Sequence, residues 1–250
     1  MHAVVELLAG ARRLVIFTGA GVSAESGIPT FRDALGGLWA RYDPAALATP
    51  AAFADDPALV WGWYEWRRLK VLGVQPNPAH RAIAALSGRI ADTRLVTQNV
   101  DDLHERAGSR DVLHLHGSLH APRCATCAAA YRDALPDSVE PEEGRRIEPP
   151  RCPACGGQVR PGVVWFGEAL PEAALREAFA AACECDLLLS VGTSGVVQPA
   201  ARIPGLALEH GASVVHVNPQ PVRTRHPREH CLVGPAGEVL PELLRRAFPG

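Results

Sequence analysis

Four of the seven cysteines stand in two matched pairs, Cys124-x-x-Cys127 and Cys152-x-x-Cys155, separated by 24 residues. Two thiolate hairpins of this kind suit one closed tetrahedral zinc, which stiffens a small module and leaves no open position for catalysis. A redox role needs only one pair, and unrelated free thiols would not fall into matching spacings. A second set of chemically capable residues follows short apolar runs. Gly19-Ala20-Gly21 comes after Leu14–Phe17, Gln98-Asn99-Val100-Asp101 after Thr93–Val96, and His116-Gly117 after Val112–Leu115. Gly192-Thr193-Ser194 comes after Leu187–Val191, and Asn218 after Val214–Val217. Each by itself reads as an ordinary turn or cap. Five together point to a ligand held beyond one edge of a parallel sheet. Gly19 and Gly21 would let a phosphate approach the backbone, with Ser23 where a helix could begin. Thr193 and Ser194, ahead of an expected helix, suit a phosphate or ribose hydroxyl, and Asn218 a ribose. His116 is the candidate general base, because imidazole exchanges protons near neutral pH. His114, His104 and His120 are not separated from it by pattern alone, and a half-buried structural histidine is the plain alternative for each.

These residues need elements that hold them. The apolar runs alternate with helical stretches near 58–72, 79–87, 171–182, 198–210 and 236–247, which predicts a parallel α/β sheet covered on both faces. A short amphipathic helix at the start leads into the first strand. Strand, glycine turn and helix start over Leu14–Ser26 form a dinucleotide-binding arrangement. Ala24 stands where the usual fingerprint has its third glycine, and no acidic strand end follows about 20 residues on. Residues 34–78 lack a strand signal and predict a helical module. Residues 119–160, rich in Cys, Pro and charge, predict a zinc-binding module. Residues 1–33, 79–118 and 161–250 then make up a Rossmann-like domain. Gly162–Phe166 has the look of an edge strand, and Cys183, Cys185 and Cys231 read as buried small hydrophobes.

Composition bounds the rest. A chain of 250 residues with 47% hydrophobic and 21% charged content is ordinary for a globular enzyme of one large domain plus a smaller module. The net charge of -2 argues against broad binding to nucleic acid. No apolar run approaches the roughly 20 residues of a membrane span. The first residues lack the basic region of a signal peptide. With paired cysteines, this predicts a cytoplasmic protein in a reducing compartment.

The stretch GAGVSAESGIPTFR at residues 19–32 closely resembles the NAD-binding signature of the sirtuins, the NAD-dependent protein deacylases. TQNVDDLH, LHLHGSLH and GVVWFGE are similar to further sirtuin segments, in the family's order. The resemblance implies NAD binding by Gly19, Ala20, Gly21, Ser23, Pro29, Phe31, Arg32, Gln98, Asn99, Asp101, Gly192, Thr193, Ser194 and Asn218. It implies catalysis by His116 with Asn99 and Asp101. Val163, Val164, Phe166, Gly167 and Glu168 are implied to hold the substrate peptide by strand addition, and the four cysteines one structural zinc. Tyr64-x-x-Arg67, with the small Ala48, resembles the subclass that removes succinyl and malonyl groups. The implied reaction consumes NAD and an acylated lysine, and yields nicotinamide, free lysine and O-acyl-ADP-ribose. The expected partners are acylated lysines in proteins or peptides, with no nucleic acid or membrane partner, for a monomer. The alternatives are an NAD-dependent protein ADP-ribosyltransferase and a non-catalytic zinc-ribbon protein that binds nucleic acid. Peptide and NAD turnover, followed by mass, separates them.

Overall fold

The computed structural model describes residues 1–29, 41–135 and 145–249. From the amino terminus, α1 (His2–Gly10) leads into β1 (Arg13–Thr18) and the single-turn α2 (Gly21–Ala24). Three helices follow, α3 (Pro44–Leu47), α4 (Pro50–Asp55) and α5 (Pro57–Leu72), then α6 (Pro78–Ser87). Next come β2 (Asp92–Thr97), α7 (Leu103–Arg106), β3 (Leu113–His114), β4 (Gly117–Cys124) and β5 (Val159–Val163). The chain closes with α8 (Glu172–Glu184), β6 (Leu187–Val191), α9 (Ile203–Glu209), β7 (Ser213–Asn218), β8 (Glu229–Val233) and α10 (Ala236–Ala247). Each of α3 to α6 starts the same way. Asp43, Thr49, Asp56 and Asn77 accept a backbone N–H of the first turn, and proline occupies the first helical position. That position needs no N–H, and proline already has the helical φ.

Six strands form one parallel sheet in the order β3-β2-β1-β6-β7-β8, a Rossmann-like architecture. Central strands buried on both faces carry continuous apolar runs, and period-two alternation sorts their side chains. Leu14, Ile16, Leu187, Leu189, Val215 and Val217 face Leu8, Ile83, Leu86 and Leu240 of α1, α6 and α10. Val15, Phe17, Leu188 and Val214 face Ala178 and Ala182 of α8 and Ile203 and Ala207 of α9. The order reverses between β1 and β6, so the switch point lies over Gly19–Gly21 and Gly192. Register keeps the tips level: Thr18 pairs with Thr97 on one side and Val191 on the other.

A third core joins α3–α5 to the antiparallel pair β4–β5. Phe53, Val60, Trp63, Tyr64 and Trp66 pack there against Leu119, Val163 and Trp165. Among the described residues, no helix is long and apolar enough to cross a membrane.

One local expectation changes. The strand expected over Gly162–Phe166 ends at Val163, because Phe166 N–H turns aside to Ala48 O (2.9 Å) and Trp165 N–H to the Glu168 carboxylate (2.8 Å). The helix expected near 198–210 is present as a helical turn from Ala200 followed by α9, and ahead of it Gly192 and Gly195 have φ of 61° and 67°. His120 lies on β4.

Asn77 ties the start of α6 to the helical turn that follows the glycine loop. Its Oδ1 accepts Ala79 N–H (2.9 Å) at the start of α6, while Nδ2 donates to Val22 O (2.8 Å) and Ser26 Oγ (3.1 Å). Asn77→Ala loses cap and tether together and should cost about 1–3 kcal/mol in urea unfolding. Asn77→Asp keeps the cap and should lose less. Equal losses would show that the cap adds nothing, and no loss in Asn77→Asp that the tether adds nothing.

Candidate active site

At the switch point the backbones of two loops touch. Gly21 N–H donates to Gly192 O at 3.0 Å, and Gly19 N–H to Val191 O at 3.0 Å. A Cβ on Gly21 would lie 2.8 Å from Gly192 Cα, and one on Gly19 2.8 Å from Gly192 O. Gly192 itself has a φ of 61°, which side chains disfavour. The two loops therefore open into a cavity of about 1450 Å³. Every described position expected to bind dinucleotide, acyl group or peptide lines it. Phe31 and Arg32 lie outside the described residues.

Below the cavity floor runs a polar network that no spacing rule announced. Ser23 Oγ donates to Asp101 Oδ2 (3.0 Å) and accepts from Asn99 Nδ2 (3.0 Å). His80 Nδ1 accepts Asn77 N–H (3.3 Å), which places the His80 proton on Nε2, 3.4 Å from Ser23 Oγ. Thr18 Oγ1 bonds Thr97 Oγ1 (2.8 Å) and His104 Nε2 (3.0 Å), and Thr97 Oγ1 accepts Asn99 N–H (3.0 Å). Burial drives His80 down to about 4 and His104 to about 3, so both are neutral. Burial also pushes the Asp101 carboxyl up, against the opposing pull of Leu103 N–H and the Ser23 hydroxyl. Two atoms of this network, Asn99 Oδ1 and His104 Nδ1, are buried without a hydrogen-bond partner, and of the two residues Asn99 lines the cavity. An acceptor stranded in a residue only 6% exposed calls for a ligand donor. Together with the glycine cradle, it fits a dinucleotide carrying hydroxyl and amide N–H groups.

Position separates the four histidines. His104 is buried in the network, and His114 has both nitrogens engaged, Nδ1 with Asn99 O (2.9 Å) and Nε2 with Glu105 Oε1 (2.7 Å). Although burial disfavours its charge, the Glu105 carboxylate holds the His114 pKa above its ordinary value. His120 Nε2 sits 3.6 Å from Asp102 Oδ1. His116 is the histidine among the described residues that lines the cavity. Its Nδ1 donates to Gln98 O at 2.9 Å, since a carbonyl can only accept, and Nε2 is then the basic nitrogen.

Ala48, Tyr64 and Arg67 also line the cavity. Burial raises Tyr64 to about 12, and Arg67 lies with Cζ 5.0 Å from the Trp63 ring centroid. The Glu168 carboxylate accepts two bonds from Arg160 (2.5 and 2.8 Å) and one from the Trp165 N–H. Trp165, Gln198 and the segment Pro219–Val222 also line the cavity but were missed. Proline and valine there carry no chemical signal, and Trp165 read only as strand core.

The four cysteine Sγ atoms lie within 4.8 Å of one another, with 3.4 Å between Cys124 and Cys155 and 3.8 Å between Cys127 and Cys152. Tetrahedral zinc with Zn–S of about 2.3 Å needs S···S separations of about 3.8 Å, so the donor set fits. The N–H groups of Cys127 and Thr126 point at Cys124 Sγ, favouring thiolate, and its pKa falls to about 6. Elemental analysis should find one zinc per chain, and chelation should unfold the β4–β5 end and lower activity through it. Purified, active protein without zinc would refute the site.

Known proteins agree with this geometry. The Sir2 family model matches residues 19–199. The chain is 99% identical over 250 residues to NAD-dependent protein deacylase 1 of Pseudomonas aeruginosa, covering 100% of both. It is 59% identical to an NAD-dependent protein deacylase of Methylococcus capsulatus, over 98% of both. Among solved structures, a Sir2 homologue in complex with NAD superposes with a TM-score of 0.85 at 46% identity, over 99% of this chain and 93% of that one. Sir2Af2 bound to a myristoylated histone peptide gives 0.72 at 34%, over 99% and 97%. Likeness of this extent in sequence, and in a fold whose switch point carries the matched glycine turn, means that the chain belongs to the Sir2 family.

Proposed function

We propose that this protein is an NAD-dependent protein-lysine deacylase that favours succinyl and malonyl groups, keeps some deacetylation, and releases nicotinamide and O-acyl-ADP-ribose. The activity is supported by the 99% identical relative named NAD-dependent protein deacylase 1, and NAD binding by the Sir2 homologue solved with NAD. The observation that carries the chemistry is His116, fixed through Nδ1 at the cavity wall with Nε2 left basic. In this reading residues 1–33, 79–118 and 161–250 form the NAD-binding domain, 34–78 the helical module and 119–160 the zinc module. The glycine cradle, Ser23, Pro29, Phe31, Arg32, Gln98, Thr193, Ser194 and Asn218 hold NAD. Once bound, NAD supplies an electrophilic ribose carbon and a nicotinamide leaving group. Asn99 Oδ1 and the Asp101 carboxylate orient hydroxyl and amide donors, with their own directions fixed by Ser23. His116 Nε2 removes a proton from a sugar hydroxyl, general-base work worth about 10²–10⁴-fold. The segment Val163, Val164, Phe166 and Gly167 receives the peptide, with Glu168 bracing it through Arg160 and Trp165.

Burial holds the His116 pKa below its ordinary 6.5. A depressed imidazole stays unprotonated, hence basic, as pH falls through that value. The acidic limb of kcat/KM should therefore have its midpoint below 6.5 and vanish in His116→Ala. A midpoint well above 6.5 would place the base elsewhere.

Acyl preference rests on two donors one helical turn apart. Tyr64 and Arg67 line the cavity beside buried Ala48. Guanidinium grips a carboxylate with parallel bonds, phenol adds another, and an acetyl group offers neither partner. Wild type should show higher kcat/KM on succinyl- than on acetyl-lysine peptides. Arg67→Met should cut the succinyl reaction at least tenfold more than the acetyl one, on the scale of about 1.5–3 kcal/mol for bonds to charged groups. Equal losses, or a wild type that prefers acetyl-lysine, would return Arg67 to a packing role.

A further inference from the structure

Tyr64 can serve an acidic acyl group only if its hydroxyl proton faces the cavity. A phenol O–H lies near the ring plane and can point to either side, so something must choose. Trp165 Nε1 lies 3.1 Å from Tyr64 Oη, and an indole N–H can only donate. Tyr64 is therefore the acceptor in that bond. With one in-plane direction of its oxygen taken, its proton is directed to the other. Trp165 is in turn locked from three sides. Its ring stacks under the Arg160 guanidinium (Cζ 3.5 Å from the centroid) and tilts against Phe53 (5.3 Å), and its backbone N–H ends on Glu168 Oε2. Arg160 is held by the same Glu168 carboxylate and by Val163 O (3.2 Å). Trp165 and Tyr64 are each only 3% exposed, so water does not compete for the bond.

We propose that Trp165 is a positioning residue for acyl specificity: its indole N–H fixes the direction of the Tyr64 hydroxyl, and the Arg160–Glu168 pair fixes Trp165. The inference rests on the acidic-acyl reading above and names what makes Tyr64 a pre-set donor. Pre-orienting a donor helps only a substrate that carries an acceptor at that place, so the effect belongs to succinyl and malonyl groups and not to acetyl.

The test is the ratio of kcat/KM on succinyl-lysine to that on acetyl-lysine peptides, measured on one preparation so that any inactive fraction cancels. Trp165→Phe keeps an aromatic ring and removes the donor. It should lower the ratio about three- to tenfold, the span expected for one hydrogen bond, mainly through KM for the succinyl peptide. In a Tyr64→Phe background the same change should lower the ratio no further, because Trp165 acts through the hydroxyl. A ratio unaltered by Trp165→Phe, or lowered equally with and without the Tyr64 hydroxyl, overturns the role while leaving the acyl reading intact. A wild type with no preference for the succinyl peptide overturns both. Should Trp165→Phe fail to fold, Arg160→Lys carries the same expectation, since it keeps charge but loses the two-pronged grip and the flat stacking.

Discussion

Two loops cross at the carboxyl edge of the sheet with backbone against backbone, and the rest of the site depends on that contact. Gly21 N–H reaches Gly192 O at 3.0 Å, a separation possible only because neither residue carries a Cβ. Strand register delivers the loops there. β1 and β6 end level with each other, and so do β1 and β2, so the glycine turn, the Gln98–Asp101 segment and the Gly192 loop leave the sheet in one plane. Where the strand order reverses, helices depart to opposite faces, and the gap between them is the cavity.

The floor of that cavity is polar, and burial makes its completeness matter. Ser23 Oγ receives from Asn99 and, at longer range, His80, and gives to Asp101, so the direction of each bond follows from its neighbours. Both buried imidazoles are neutral and bring no charge into the core; His80 uses both ring nitrogens, His104 only Nε2. Asn99 Oδ1 and His104 Nδ1 are left without partners in this network, and Asn99 is the one that lines the cavity. The protein thus carries a local cost that a ligand can relieve.

The wall at Tyr64 is built by different physics. Helices α4 and α5, the β4–β5 pair and the turn after it share an aromatic core, in which successive ring contacts Phe53–Trp165 and Trp165–Tyr64 span 5.3 and 6.4 Å. Aromatic rings give rigid placement at low entropic cost, and their polar tips can still be spent on hydrogen bonds. The zinc thiolates sit at the far end of the same β4–β5 pair, where Cys124 pairs with Val159. Val159 adjoins Arg160, so the four cysteines and the Trp165–Tyr64 wall share one short stretch of strand. The metal would hold the pair together where hydrophobic area is thin.

Signals carried within a few residues were legible from sequence. The continuous apolar runs are strands because both faces of the central sheet are buried, and Cys124-x-x-Cys127 with Cys152-x-x-Cys155 needs only a tight hairpin to present its sulfurs. The glycine turn and the polar tips after each run were legible for the same reason, as was the sirtuin resemblance they carried. What lay beyond reach joins residues distant in the chain. Ser23 meets His80 and Asp101 across 57 and 78 residues, and Trp165 meets Tyr64 across 101. Local preference also misled where tertiary partners outbid it. Val164-Trp165-Phe166 has strand-forming side chains, yet Ala48 O and the Glu168 carboxylate capture the N–H groups a strand would use. Which histidine faces the cavity was likewise undecided by spacing, since His114 and His116 bond successive backbone carbonyls, Asn99 O and Gln98 O. Glu105, brought beside His114 by the short helix α7, occupies its second nitrogen and leaves His116 the one lining the cavity. Sequence determined the elements because burial acts on each strand and hairpin locally; only the packed fold decided which polar groups face one another.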